Sequence, residues 1–236
     1  MVELLRLHSP YCFGTLIKRY KRFLADVRLD SGEEITAHCP NPGRMLSCSE
    51  PGSRVRLSLF ENTTRKYPYR LDLVHNGDCW IGVNPNLAND IVASALYQRI
   101  LLPDLDASVW KREVKYAESH RIDFYYDLNQ KIYLEVKSVT YKHDGVGYFP
   151  DAVSKRASQH LMALEQMVTA GNQAIVVYCI QREDVSTVLP AAHIDHKYLE
   201  AVDSAKKNGV RFYHLPVFFN DEGTAVFCES STVPPN

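Results

Sequence analysis

The chain has 236 residues, room for one large domain or two small ones and ample sequence for a buried core. Apolar residues make up 45 % and charged residues 23 %, an ordinary globular composition, and the formal net charge of −1 excludes a global basic field as the sign of a nucleic-acid partner. Six cysteines (Cys12, Cys39, Cys48, Cys79, Cys179 and Cys228) show no C-x-x-C spacing, which argues against a zinc site or a dense disulfide framework.

The start, Met1 to Ser9, lacks the continuous apolar stretch of a signal peptide. No run approaches the roughly 20 apolar residues that span a bilayer, so the expectation is a cytoplasmic protein with no membrane partner. Charge is mildly uneven: residues 1–83 hold 12 Lys+Arg against 9 Asp+Glu, and the remainder is acidic.

From Leu4 to about Val83 the pattern is almost entirely strand and turn. A long segment runs from Gly14-Thr15-Leu16-Ile17-Lys18 through Phe23 to Leu29 and the turn Asp30-Ser31-Gly32; Glu34–His38 follows, then the loop Cys39–Arg44. Three more strands are expected at 55–60, 69–74 and 79–83. Five or six short strands in about 80 residues suit a small barrel of the five-stranded OB type.

The pattern changes at Asn84-Pro85-Asn86. Ile91, Ala95, Leu96 and Ile100 recur at helical spacing up to Pro103. A strand at Lys111–Tyr116, a hairpin over residues 121–139 and a loop through Asp144–Gly147 come next. A helix from near Asp151 carries Val153, Ala157, Leu161, Leu164 and Val168 on one stripe and stops at Gly171-Asn172. Ala174–Ile180 reads as a buried strand, 197–208 as a polar helix, and 210–219 and 224–228 as strands. The expected organisation is an OB-like domain over 1–83 and an α/β domain over 84–236.

The hairpin carries the candidate chemistry. In Arg121-Ile122-Asp123-Phe124-Tyr125-Tyr126 and Lys131-Ile132-Tyr133-Leu134-Glu135-Val136-Lys137, apolar and polar residues alternate. Ile122, Phe124, Tyr126 and Leu128 share one face of the first strand, and Ile132, Leu134 and Val136 share one of the second. A hairpin centred on Asn129 sets Asp123 directly across from Glu135, where Cβ atoms lie about 5 Å apart and like charges repel. Two carboxylates gathered with Lys137 suit a divalent cation, Mg²⁺ or Mn²⁺, with the lysine at a water. Glu113 has the strand parity of a third acid, although a structural ion pair explains it equally well. The bland reading of the three charges is a solvated sheet face.

These residues also carry a resemblance. Arg-Ile-Asp-Phe followed by Leu-Glu-Val-Lys-Ser-Val-Thr is similar to the core of the PD-(D/E)XK nucleases. With Lys111–Tyr116, Phe149–Arg156, His160-Leu161 and Ala192–Asp195, and with Leu16–Val27, His38–Asn41, Gly43, Met45, Pro51-Gly52 and Arg65–Tyr69 in the first half, the whole chain resembles the sugar fermentation stimulation protein A family. That resemblance implies an N-terminal OB-like barrel, a C-terminal restriction-endonuclease-like α/β domain, and DNA as partner. It implies metal-dependent phosphodiester hydrolysis with Asp123 and Glu135 as ligands and Lys137 at the water. The alternative is a non-catalytic DNA-binding regulator of sugar (maltose) metabolism, acting in transcription regulation on a retained nuclease fold.

Lys18, Arg19, Lys21 and Arg22, interleaved with Tyr20 and Phe23, suit an OB-type nucleic-acid surface, and Arg65 and Lys66 extend it. Arg156 and His160, four apart on one helix face, are candidates for phosphate contact. Three positions depart from the family pattern: Asn41-Pro42-Gly43-Arg44 adds the charge of Arg44, His120 stands where serine is usual, and Ala157-Ser158-Gln159 lacks a lysine. His193-Ile194-Asp195-His196 reads as a helix start, Gly145-Val146-Gly147 as loop, and the sequon Asn62-Thr63-Thr64 as incidental. The pattern leaves room for a homodimer.

Overall fold

A computed structural model describes residues 1–7, 10–61, 64–116 and 121–227. The readings of His120, the Asn62-Thr63 sequon and Cys228 lie outside the described residues. In chain order the strands begin with β1 (Val2–Arg6), β2 (Tyr11–Tyr20), β3 (Leu24–Leu29), β4 (Glu34–His38), β5 (Arg54–Leu59), β6 (Tyr69–His75) and β7 (Trp80–Gly82). Helix α1 (Asn86–Tyr97), a 3₁₀ turn (Ala107–Val109), β8 (Lys111–Lys115), β9 (Arg121–Asp127), β10 (Lys131–Val139), β11 (Tyr141–His143) and β12 (Val146–Phe149) follow. The chain closes with α2 (Lys155–Thr169), β13 (Gln173–Ile180), β14 (Val188–Pro190), α3 (His196–Lys207), β15 (Arg211–Phe219) and β16 (Thr224–Phe227).

Strands β2 to β6 form a closed five-stranded barrel. Antiparallel pairing runs β4-β3-β2-β5-β6, and β4 meets β6 in parallel at His38 and Arg70, with β7 added beside β6. Closure removes the free strand edge. Leu16, Val27, Leu57, Leu71 and Ile81 fill the interior. The second half is a seven-stranded mixed sheet, order β1-β16-β15-β13-β10-β9-β8, with β10, β13 and β15 parallel. Helix α1 covers one face through Ile91 and Val92 against Phe124, Leu134 and Val177. Helices α2 and α3 cover the other through Leu161, Leu164 and Val202 against Val176 and Tyr178. Central strands buried on both faces explain the uninterrupted apolar run of β13.

The structure differs from the sequence pattern in several places. The expected continuous segment over 14–29 is a hairpin, turning at Lys21 and Arg22, both with left-handed φ (48° and 63°). The loop between the paired Tyr20 and Leu24 has three residues, and three-residue hairpin loops place a residue in the left-handed region, which glycine or asparagine normally supplies. Here arginine side chains hold the turn instead, as described below, so the composition gave no sign of it. The Asp144-Gly145 loop is likewise a tight turn, with φ of 48° and 79°, joining β11 to β12. Helix α2 starts at Lys155 behind the N-cap Ser154, leaving Val153 outside it and 71 % exposed. Leu128 sits in the β9–β10 turn and is exposed rather than on the apolar face. Strand β1 pairs with β16, in the sheet of the second half.

The two halves meet through specific polar bonds. Gly82 N–H donates to the Gln181 carbonyl at 2.9 Å, and Arg182 bonds Ser47 Oγ (3.0 Å) and the Thr140 carbonyl (2.7 Å). Asp151, just before α2, accepts from Met45 N–H of the barrel loop at 2.8 Å. A Cβ at Gly43 would run into that same carboxylate, so the close approach of loop and helix start requires glycine. Gly43→Ala is expected to destabilise the protein by about 1–3 kcal/mol in a denaturant titration. Combining it with Asp151→Ala should cost less than the sum of the two single changes; strict additivity would show that the contact is not the cause.

Candidate active site

The β9–β10 hairpin is centred on Asn129: Lys131 pairs with Asp127, Tyr133 with Tyr125 and Leu134 with Phe124. The ladder stops there, one position short of Asp123 and Glu135. In place of the next backbone bond, Asp123 Oδ2 accepts from Val136 N–H at 2.7 Å, and Asn89 of α1 donates to its Oδ1 at 3.0 Å. The Asp123 side chain thus takes the place of the next ladder bond, and the residue lines a cavity of about 430 Å³. Glu135 and Lys137 follow on the same face of β10 and line that cavity with it.

Lys137 Nζ lies 2.8 Å from Glu135 Oε1, and both side chains are almost fully buried. His160 of α2 contacts the same oxygen through Nδ1, and its Nε2 accepts from Arg156 Nε at 3.2 Å, the geometry of the Nδ1–H tautomer. Burial by itself would raise the Glu135 carboxyl; Lys137 and His160 overcome it and hold the group down to about 2. Asp123 goes the other way. Burial, reinforced by the charge of Glu135, pushes it up to about 6, and its hydrogen bonds from Val136 and Asn89 only partly oppose this. One acid is neutralised in place; the charge of the other is only partly offset, by those hydrogen bonds and the more distant Lys137 ammonium.

The opposite wall of the cavity comes from the barrel: Arg22 at the β2–β3 turn, and Asn41, Pro42 and Gly43. Arg19 organises this wall. Its Nη2 lies 2.7–2.8 Å from the carbonyls of Arg22, Asn41 and Gly43, and Arg22 Nη2 bonds the Pro42 carbonyl at 2.8 Å. Arg156 lines the helix side.

The expected site residues therefore divide. Asp123, Glu135, Lys137, Arg22, Arg156 and His160 share one cavity. Arg19 builds the wall from behind. Lys18, Lys21, Arg44, Arg65 and Lys66 do not line the cavity; Lys18 pairs with Asp26 at 3.5 Å, and Arg65 stacks over Phe60 with its guanidinium carbon 4.1 Å from the ring centre. Glu113 is not brought in. It sits at the β8 position level with Asp123, but with left-handed φ (55°), exposed and away from the cavity lining. No group of three or more His, Cys, Asp or Glu gathers for a metal among the described residues. Sequence spacing missed Asn89 and the Arg19 contacts, for neither has a periodic signature. His193 to His196 behave as expected, with Asp195 capping α3.

A closed five-stranded barrel of the OB type joined to a mixed α/β domain defines the class of protein. A family described as the sugar fermentation stimulation protein RE domain matches residues 86–223, and its N-terminal OB domain matches residues 17–83. The chain belongs to this sugar fermentation stimulation protein (SfsA) family. A sugar fermentation stimulation protein homolog of Pseudoalteromonas atlantica is 42 % identical over 223 residues, covering 92 % of this chain and 95 % of that protein. A homolog from Thioalkalivibrio sulfidiphilus is 46 % identical over 200 residues, 84 % of each. The solved structure of Pyrococcus furiosus SfsA in complex with Ca²⁺ superposes with a TM-score of 0.86 at 22 % identity, over 96 % of both chains, which shows the shared fold. Among the described residues no helix is long and apolar enough to cross a membrane.

Two predictions follow the electrostatics. Because Asp123 binds its proton more tightly folded than unfolded, its contribution to stability falls as pH rises from about 4 through 6. Asp123→Asn should be more stable than wild type by about 1–3 kcal/mol in metal-free buffer at pH 8, and the advantage should vanish at pH 4 in thermal melts. An advantage that persists unchanged at pH 4 would assign it to packing instead. Arg19→Ala should cost about 2 kcal/mol or more, whereas Lys18→Ala, at an exposed pair, should stay within about 0.5 kcal/mol; equal effects would remove Arg19 from its structural role.

Proposed function

We propose that the cavity is a divalent-cation-dependent phosphodiesterase site acting on DNA that the barrel and the α/β half hold between them. One observation carries this reading: Asp123 and Glu135 share a buried cavity with Lys137, and the hydrogen bonds to Asp123 come from neutral donors, Asn89 and Val136 N–H, while Lys137 is bonded to Glu135. Two buried carboxylates in mutual repulsion gain from a cation placed between them.

The donor set fits Mg²⁺ or Mn²⁺. Both acids offer hard oxygen atoms, and Mg²⁺ keeps several waters, so two carboxylates suffice where a caging protein site would need more. Ca²⁺ in the Pyrococcus furiosus relative lends support to a divalent ion in this fold. When bound, such an ion supplies charge neutralisation at a phosphate and a more acidic water. Asp123 and Glu135 would hold it. Lys137 keeps Glu135 ionised, orients the attacking water and offsets charge as it builds on the phosphorus oxygens. Arg156 and Arg22, on two walls of the cavity, are set to meet non-reacting phosphate oxygens.

One observation favours the non-catalytic regulator. Glu135 Oε1 is already engaged by Lys137 and His160, and Glu113 supplies no third acid. Purified protein with Mn²⁺ is expected to cut single-stranded, duplex or branched DNA, and Asp123→Ala to lose at least 100-fold in rate while DNA binding survives and weakens steeply with salt. Binding without cleavage by wild type on every substrate and with either metal would leave the regulator. A flat salt response would count against phosphate contact altogether.

A further inference from the structure

Beyond the acidic cluster, the cavity has a second chemistry on the wall formed by the β11–β12 hairpin. Tyr141 and Tyr148 are cross-strand partners, with ring centres 5.8 Å apart and planes at 42°. His193, from the segment before α3, meets Tyr148 edge-on at 5.2 Å and places Nε2 3.3 Å from the Tyr141 hydroxyl. Neither tyrosine belongs to a hydrophobic core cluster; both are half-buried and line the same cavity as Asp123, Glu135 and Lys137. Val153 adds a side chain that is 71 % exposed to that lining.

We propose that Tyr141 and Tyr148, steadied by His193, form a stacking subsite for an unpaired nucleobase, so that the cavity takes single-stranded or frayed DNA. This rests on the phosphodiesterase reading and deepens it by naming the substrate class.

The argument is one of matching chemistry and reach. Aromatic rings left out of a core and turned toward a cavity offer π-faces, and a base offers one in return. Stacking on such rings tolerates any sequence. The local cation does not supply a phosphate contact instead: Lys142, between the two tyrosines in sequence, bonds Asp184 at 2.7 Å. Paired bases are already stacked inside a duplex, so only an unstacked base can present its face. From Lys137 to Tyr141 the chain advances four residues, at most roughly 13 Å. That separates a base on the tyrosines from a phosphate at the acids by a few nucleotides of one strand. The plainer account is that the rings simply pair across the hairpin, a contact that stabilises it modestly. That account predicts no dependence of DNA affinity on the rings.

The test is fluorescence anisotropy with a labelled single-stranded oligonucleotide, the matching duplex, and a single strand with abasic sites, in Ca²⁺ buffer at several salt concentrations. Tyr148→Ala should weaken single-strand binding roughly 5- to 100-fold, leave duplex binding within about twofold, and leave the salt slope unchanged because no phosphate contact is lost. Tyr148→Phe should bind as wild type, and the alanine change should have little effect on the abasic strand. Thermal melts establish that each variant is folded; should Tyr148→Ala unfold, Tyr141→Ala carries the same expectation. Equal losses on duplex and abasic strand, or no loss on the intact single strand, would overturn the subsite while leaving the phosphodiesterase reading standing. Wild-type protein that binds neither DNA would bring down that reading and the subsite together.

Discussion

Everything distinctive in this molecule turns on two carboxylates buried in one cavity at the place where a strand ladder ends. A β-sheet normally continues its backbone bonds until the strands part. Here Asp123 takes the Val136 N–H that would otherwise need another partner, and so ends the ladder between β9 and β10 without orphaning a backbone group. That substitution turns a structural ending into a chemical one, because it brings the Asp123 oxygens level with Glu135. Lys137 and His160 then fix the charge of Glu135 and leave that of Asp123 only partly compensated. The asymmetry is a property of the fold, since each partner comes from a different packed element: β10, α2 and α1.

The barrel completes this site rather than standing beside it. Its loop from Asn41 to Met45 is pinned from both sides, by Arg19 gathering its carbonyls and by Asp151 accepting from Met45 N–H. Asn41 also bonds the Val83 carbonyl at 2.9 Å, where the chain passes from β7 toward α1. Movement of the barrel would therefore deform the cavity wall directly. Burial of Arg182 between Ser47, Thr140 and Asp184 locks the junction further, and a desolvated guanidinium tied into that many bonds is costly to release.

Some of this was legible in the chain. Strand alternation on either side of Asn129 fixed the register, because a one-residue slip would move Phe124 and Leu134 out of the core. The stop at Gly171 and the helix start at residues 193–196 read correctly because local backbone chemistry leaves a local signature. What escaped was non-local or unsigned. The turn at Lys21-Arg22 adopts left-handed backbone without glycine or asparagine, and its support, Arg19, looks in the sequence like one more surface cation. Strand β1 finds its partner β16 more than 200 residues on, a pairing no window can contain. Val153 fitted a helical stripe by spacing, yet Ser154 caps the helix after it, and a cap outranks periodicity at a boundary.

The arginines that proved structural still bear on recognition. Arg19 and Arg22 find backbone carbonyls, not carboxylates, as partners. A carbonyl satisfies a guanidinium's hydrogen bonds without cancelling its charge, so this wall stays positive while its side chains are held still. Across the cavity stand Asp123 and Glu135. On the proposed reading, a phosphate entering between them would meet fixed positive charge on one side and need a cation to lie against the other. Preorganised charge costs no reorganisation at the moment of binding, whereas an exposed, mobile lysine pays entropy for each contact. On the proposed reading, a chain with net charge −1 would in this way concentrate attraction for phosphate in one cavity, without a global basic field.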